Sequence, residues 1–428
     1  MVSARDGSRS DRVALLPPGT YSPPRWAPDD RSIAVQRLHR TAFDGHLEVI
    51  DLASGERHDV VGGSWLQGFA WLPDGSGFVY SSSRDSSVLY PPVFNLRVVQ
   101  RDGSGDRQLT YGDHSCVEPE VHASGKLVAG RITSHSDIWK FPIGGSPVEN
   151  TGAAVRITRQ TGHVRVPSVS PDEREIVYVS DSGGHANLWI AATDGSAARP
   201  ITFETDPEVA VGVPLWSPRG DLIAFVRSKP TQAELWGISP DGSNPRQLVH
   251  GWAPCFSADG RWLYYWRLGV EPSGIGRLPI DGGPAEFIRT GSGLELPAIS
   301  PDGTALFLVV PMRSSMGVFG VGVAYVRASP PNGPGEVIAQ VPGERLPARH
   351  GSIVISPDGQ YLATLLIDGT TTNIWLLPTS GGPMKPVTDF GDQSVVIARS
   401  VSWSRDGQYI YAAVAKTLTD IVLLDGLL

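Results

Sequence analysis

The sequence predicts an all-β fold, a single β-propeller of four-stranded antiparallel blades, and three observations carry that expectation. A turn of the Ser-Pro-Asp-Gly type recurs nine times along the 428 residues. The turns fall 40 to 56 residues apart, about the length of one four-stranded blade. The 49 glycines and 36 prolines suit many short strands joined by tight turns better than they suit helices.

The turns come first because their chemistry is local. Proline presets the first turn position, aspartate bonds the backbone two residues on, and glycine takes a positive φ without steric cost. The clearest copies are Ser300-Pro301-Asp302-Gly303 and Ser356-Pro357-Asp358-Gly359. Looser copies begin at Ala27, Leu72, Ser170, Ser217, Ser257 and Ser404, and the most degraded one begins at His122. The apolar residue before each turn serves as an anchor, giving Trp26, Trp71, Val121, Val169, Trp216, Phe256, Ile299, Ile355 and Trp403. Nine blades are therefore expected, with eight as the alternative if the degraded third copy is an insertion.

The strands follow from the anchors. After each turn comes an alternating strand, as in Glu175-Ile176-Val177-Tyr178-Val179. A third strand carries Trp139, Trp189, Trp236 or Trp375, whose expected role is to pack one blade against the next. After Trp403 two more strands fit, Tyr409 to Ala415 and Asp420 to Leu424, so the last blade lacks an outer strand. Arg12-Val13-Ala14-Leu15-Leu16 resembles the outer strands elsewhere, and pairing it with the C-terminal blade would close the ring and remove both sheet edges. Residues 1–11 are expected to be a flexible N-terminus and residues 12–428 the propeller.

Composition narrows the function classes. A formal net charge of -8, without a concentrated run of Lys and Arg, argues against nucleic-acid binding. No apolar run is long enough to cross a bilayer as a helix, so membrane insertion is not expected. The first residues lack the apolar core of a secretory signal, which reads as cytoplasmic for the chain as written and extracytoplasmic if it is an excised domain. Cys116 and Cys255 fall three blades apart and are expected to be unbridged. A monomer is expected.

The Trp-Ser-Pro-Asp-Gly and Leu-Trp punctuation resembles the PD40 (WD40-like) repeats of the TolB-like β-propeller superfamily, over nearly the whole chain. The stretch from Val401 to Leu424 is similar to the end of propeller domains that bacteria append to kinases and regulators. The resemblance implies a binding or scaffold module of a bacterial signalling or envelope system. Related propellers precede hydrolase domains in prolyl-oligopeptidase-like enzymes, and one branch forms oligogalacturonate lyases. This sequence shows no Gly-x-Ser-x-Gly elbow, kinase signature, phosphate-binding glycine loop or zinc-type Cys/His spacing. No cofactor and no metal are expected.

What remains is the channel, where innermost strands converge. Four residues before each anchor lies the expected mouth position, and its polar and aromatic occupants, Gln67, Arg165, Trp252, Glu295 and Arg399, form the candidate ligand site. Arginines pair with carboxylates and a tryptophan offers a stacking face, so an anionic or sugar-like ligand, or a protein partner, is the expected occupant. Should the chain be an enzyme, a hydrolase or lyase acting on a carbohydrate or anionic small molecule, His163 or His350 would be the base. Two loops also stand out: an apolar insertion from Pro311 to Gly322, read as a flap, a channel cover or a longer hairpin, and the Pro-containing run from Ser81 to Phe94.

Overall fold

A computed structural model describes residues 16, 20–38, 45–84, 86–87, 92–159, 162–229, 232–267, 272–291, 297–313, 319–346 and 353–426. They form eight antiparallel sheets, a 3-10 turn at Gly343–Arg345 and one short α-helix, Pro147–Gly152, whose first turn is capped reciprocally by Ser146 and Glu149. All nine anchors end an innermost strand, from Trp26 on Arg25–Trp26 to Trp403 on Val395–Trp403. The chain divides into two compact units: residues 1–86, 92–133 and 418–428 in the first, and 87–91 and 134–417 in the second.

The second unit holds six innermost strands: Val164–Val169, Ala210–Trp216, Trp252–Phe256, Pro297–Ile299, Val354–Ile355 and Val395–Trp403. Each neighbours the next, and the sixth returns to the first, closing a cycle. Serines stitch neighbours together: Trp216 N donates to Ser168 Oγ at 2.9 Å, and Val169 N to Ser402 Oγ at 3.1 Å. Five of the sheets are consecutive four-strand runs. The sixth combines Val395–Trp403 and residues 409–417 with residues 134–142 and Val155–Arg156, taken from the start of the unit. Ile143 N donates to Gln408 O at 3.2 Å, and Lys140 sits 4.0 Å over the Tyr409 ring along this seam. The described neighbours of the last strand are thus Val395–Trp403 and Leu127–Pro142. The strand expected in that role, Arg12–Leu16, lies outside the described residues apart from Leu16.

The first unit contains three innermost strands, Arg25–Trp26, Leu66–Trp71 and His114–Val121. Its third innermost strand, His114–Val121, pairs with residues 127–133, and these with residues 418–424. The degraded third repeat therefore has no four-strand sheet of its own. Two 16-residue strands, Leu127–Pro142 and Tyr409–Leu424, carry the chain from one unit to the other. The two separate C-terminal strands read from the sequence are one, because Lys416-Thr417-Leu418-Thr419 contains no glycine, proline or turn residue to break it.

A polar latch repeats in both units. In one sheet Leu96 N donates to Thr110 Oγ1 at 2.9 Å, and that hydroxyl donates to Asn95 Oδ1. Thr158 with Asp137, Thr202 with Asn187, and Thr388 with Asn373 do the same. Each latch ties the outer strand's end to the third strand where a buried N–H would otherwise cost about 1–3 kcal/mol. The tryptophans of the third strands pack into the cores between sheets, Trp236 against one cluster and Trp375 against another. Both cysteines are free. The flanks of the Pro311–Gly322 insertion are a lengthened hairpin, with Met312 paired to Gly322; its residues 314–318 lie outside the described residues.

Candidate functional site

Four of the six innermost strands of the second unit carry a bulge, and the bulges shape the cavity they line. Register shifts occur between Arg165 and Ser168, Gly212 and Leu215, Trp252 and Cys255, and Ile397 and Val401. At them the backbone turns left-handed at Val166 (φ 50°), Val213 (φ 52°), Ala253 (φ 53°) and Arg399 (φ 67°). Valine in that region is an outlier, costing about 1–3 kcal/mol, because its branched Cβ crowds the backbone. Three of the four residues precede a proline, Pro167, Pro214 or Pro254, and proline removes an N–H that the interrupted ladder would leave unpaired.

The bulges surround a cavity of about 210 Å³. Val166, Val213, Ala253, Pro297 and Ile353 make most of its wall apolar. Arg399 is the charged side chain among the described lining residues, and its guanidinium lies 4.9 Å from the ring centroid of Trp252. Trp252 itself is buried behind the lining. A cation held over a π-face beside an apolar wall can take an anionic group whose neighbours are apolar.

Next to this cavity lies a second polar cluster. His163 is 5% exposed, and its backbone N donates to Asp181 Oδ1 at 2.6 Å. Its Nδ1 lies 2.6 Å from Asp181 Oδ2. Burial works against ionising Asp181, but the His163 bonds and the charges of His163 and Arg165 outweigh it and hold the carboxyl below its usual range. An ionised Asp181 only accepts, so Nδ1 carries the proton and Nε2 is left as the ring's other site. Burial pulls the Arg165 guanidinium down to about 10, still protonated at neutral pH, with Asp181 opposing the shift.

The expected site residues thus fall into distinct places. Arg399 and Trp252 meet, and Arg165 and His163 are joined through Asp181. Gln67 is half-buried on Leu66–Trp71 of the first unit. Glu295 and His350 lie outside the described residues. In the first three bulges the cavity is lined by the residue after the expected mouth position, Val166, Val213 and Ala253, because the extra residue of a bulge shifts the facing side chain by one. A signal for this was available: a proline two residues before the anchor in six repeats, at Pro24, Pro119, Pro167, Pro214, Pro254 and Pro297. Asp181, 18 residues from His163, had no such signal.

Comparison with known proteins gives a consistent family. No family model matches the chain. The Tol-Pal system protein TolB of Gluconobacter oxydans is 27% identical over 263 residues, 49% of this chain and 57% of that protein. An uncharacterised protein of Agrobacterium fabrum is 27% identical over 172 residues, 38% of this chain and 55% of its own length. The matches therefore span little more than half of these relatives. The solved structure of a putative TolB from Agrobacterium tumefaciens superposes with a TM-score of 0.50 at 18% identity, covering 67% of this chain and 99% of that one. With nine repeat turns each closing an innermost strand, the chain is similar to TolB proteins in sequence and shares the TolB-like β-propeller fold.

Proposed function

We propose that the chain is a binding module rather than a catalyst, and that the second unit's cavity receives an anionic group carried by a protein partner or a small sugar-like ligand. The observation that supports this most is Arg399 lining a largely apolar cavity with its guanidinium over Trp252. The wall is shaped by strained, proline-backed bulges and needs little reordering to accept a ligand, which lowers the cost of binding. The Gluconobacter relative is by name part of the Tol-Pal system, and membership of a protein assembly of that kind is proposed for this chain too. The test is a titration, by fluorescence anisotropy, of short apolar peptides ending in a free carboxylate and of the same peptides amidated, with galacturonate as competitor. Saturable binding of the free acids, weakened at least ~10-fold by Arg399→Gln, is expected from the loss of a charge-assisted contact. Equal binding by the amides, or indifference to Arg399→Gln, would sink the reading.

A second reading, a lyase or hydrolase acting on an anionic carbohydrate, rests on the His163–Asp181 pair beside Arg165. It requires His163 to be uncovered by the substrate, since the ring is buried. Turnover of oligogalacturonate that disappears in His163→Asn while the fold persists would favour it over the binding module.

A further inference from the structure

The last seven residues of strand Tyr409–Leu424 are built differently from the other outer edges among the described residues, of which four, Arg57–Ser64, Arg246–His250, Glu286–Thr290 and Gly335–Pro342, are five to eight residues long and broken by a register shift, and four are short. Arg107–Gln108, Val155–Arg156, Arg199–Pro200 and Lys385–Pro386 are each two residues long, each carries an Arg or Lys, and two contain proline. Short length, positive charge and proline are the devices that keep a sheet edge from recruiting another strand. Residues 418–424, Leu-Thr-Asp-Ile-Val-Leu-Leu, have none of them. On one side they meet residues 127–133, with Arg131 3.2 Å from Asp420 and Leu424 packed on the core of Val79, Leu96 and Leu127. The ladder on the other side ends at Lys416, opposite Val395, with Thr417 N donating to Ser394 O just beyond it at 3.3 Å. Beyond it the edge runs on with Leu418 71%, Ile421 86% and Leu423 53% exposed.

We propose that this edge is a dimerisation site, occupied by the same edge of a second copy of the chain in an antiparallel, two-fold arrangement centred on Ile421. Side-chain alternation and two-fold symmetry restrict the centre to a residue rather than a gap between residues. Centring on Asp420 would oppose two carboxylates. Centring on Ile421 sets Ile421 against its own counterpart, Leu418 against Leu424, Thr419 against Leu423 and Asp420 against Val422. Asp420, already neutralised by Arg131, then faces an apolar side chain, and Lys416 falls one residue from Asp425 of the second copy, so the charges complement each other at both ends. The three exposed apolar residues all gain cross-strand partners or cover, and the backbone groups of the edge, unpartnered on that side among the described residues, are satisfied.

Sedimentation velocity of the full chain from about 1 to about 100 µM decides it, a range that brackets ordinary reversible dimers. The chain is expected to shift from monomer to dimer, and Ile421→Lys, which would set two ammonium groups face to face, to weaken the dimer at least ~10-fold. Phe203→Lys, at another exposed apolar position, should leave the dimer unchanged. Ile421→Cys, oxidised with copper phenanthroline, is expected to give a covalent dimer, which tests the pairing independently. A monomer throughout the range, a dimer indifferent to Ile421→Lys, or a dimer that Ile421→Cys does not cross-link would each overturn the proposal.

Discussion

The two parts of strand Tyr409–Leu424 have similar β-forming sequences and opposite surroundings. Residues 409–417 lie between two other strands in the closed cycle of the second unit, and six successive side chains, Ile410 to Ala415, are buried. Residues 418–424 have a described neighbour on one side, and most of them are exposed. The difference teaches that closure, rather than local strand propensity, decides which apolar residues of a propeller contribute to stability. A row of valines, leucines and isoleucines is a core only where a ring of sheets covers it. In the second unit the cover comes from residues 134–142, which seal the last sheet in place of an edge.

The largest expected effect tests that comparison on one residue type. Ile410 is fully buried and Ile421 is 86% exposed, on one strand and eleven positions apart. Ile410→Ala should cost about 2–5 kcal/mol, through lost transfer energy and the cavity left between sheets. Ile421→Ala, measured below the concentration at which copies associate, should stay within about 0.5 kcal/mol. Urea unfolding followed by far-ultraviolet circular dichroism gives both values. Equal costs would mean that the last seven residues are covered too, and the contrast between the two halves would fall.

A smaller effect concerns pH and sharpens the role of the turns. The Asp302 carboxyl is held down at about 2, first by the Ser300 hydroxyl and then by the Thr304 backbone N–H and hydroxyl. Its folded value lies below the unfolded value near 3.9, so the contribution is fully present above about pH 4 and is lost as pH falls toward 2. Asp172, Asp259 and Asp406 are held low in the same way, each first by the serine hydroxyl that opens its turn. Acid should therefore weaken the wild-type chain between pH 5 and about pH 2 more than it weakens Asp302→Asn, which keeps the turn's acceptor but carries no titrating group. Urea midpoints at about pH 6 and about pH 3 check it, and parallel losses in both proteins would contradict it.

The same turns explain how much could be read in advance. All nine anchors were legible because the Ser-Pro-Asp-Gly chemistry is local: Ser356 Oγ donates to Asp358 Oδ1 at 2.5 Å within four residues, whatever the rest of the chain does. What seals the last sheet was not legible. Residues 134–142 meet residues 409–417 across some 270 positions of sequence, and neither stretch carries a mark of its partner. The site was legible in part. Arg399 and Trp252 were found because both sit at one offset from their anchors, and burial then stacked them. Val166, Val213 and Ala253 were missed because alternation was carried through a bulge, where two residues occupy the place of one. Asp181 joins His163 through the neighbouring strand, where Val164 pairs with Ser180, and no spacing within one strand reports such a contact.

The smallest expected effect separates turn geometry from turn packing. The fourth position of each turn takes a positive φ, 71° at Gly303 but 57° at Asp30, where the degraded first copy has no glycine. At Gly303 an added Cβ would meet nothing within 4 Å, so Gly303→Ala changes only the cost of the left-handed backbone, a loss of about 1 kcal/mol. The converse change, Asp30→Gly, removes that cost and gains a few tenths to about 1 kcal/mol, reduced by the extra freedom glycine has in the unfolded chain. Opposite signs of these two shifts in the urea midpoint would tie the nine turns to one backbone requirement, met by glycine in seven copies and against strain at Asp30 and Glu173. Equal signs would mean that the side chain at the fourth position contributes through its contacts, and that the first copy has its own turn.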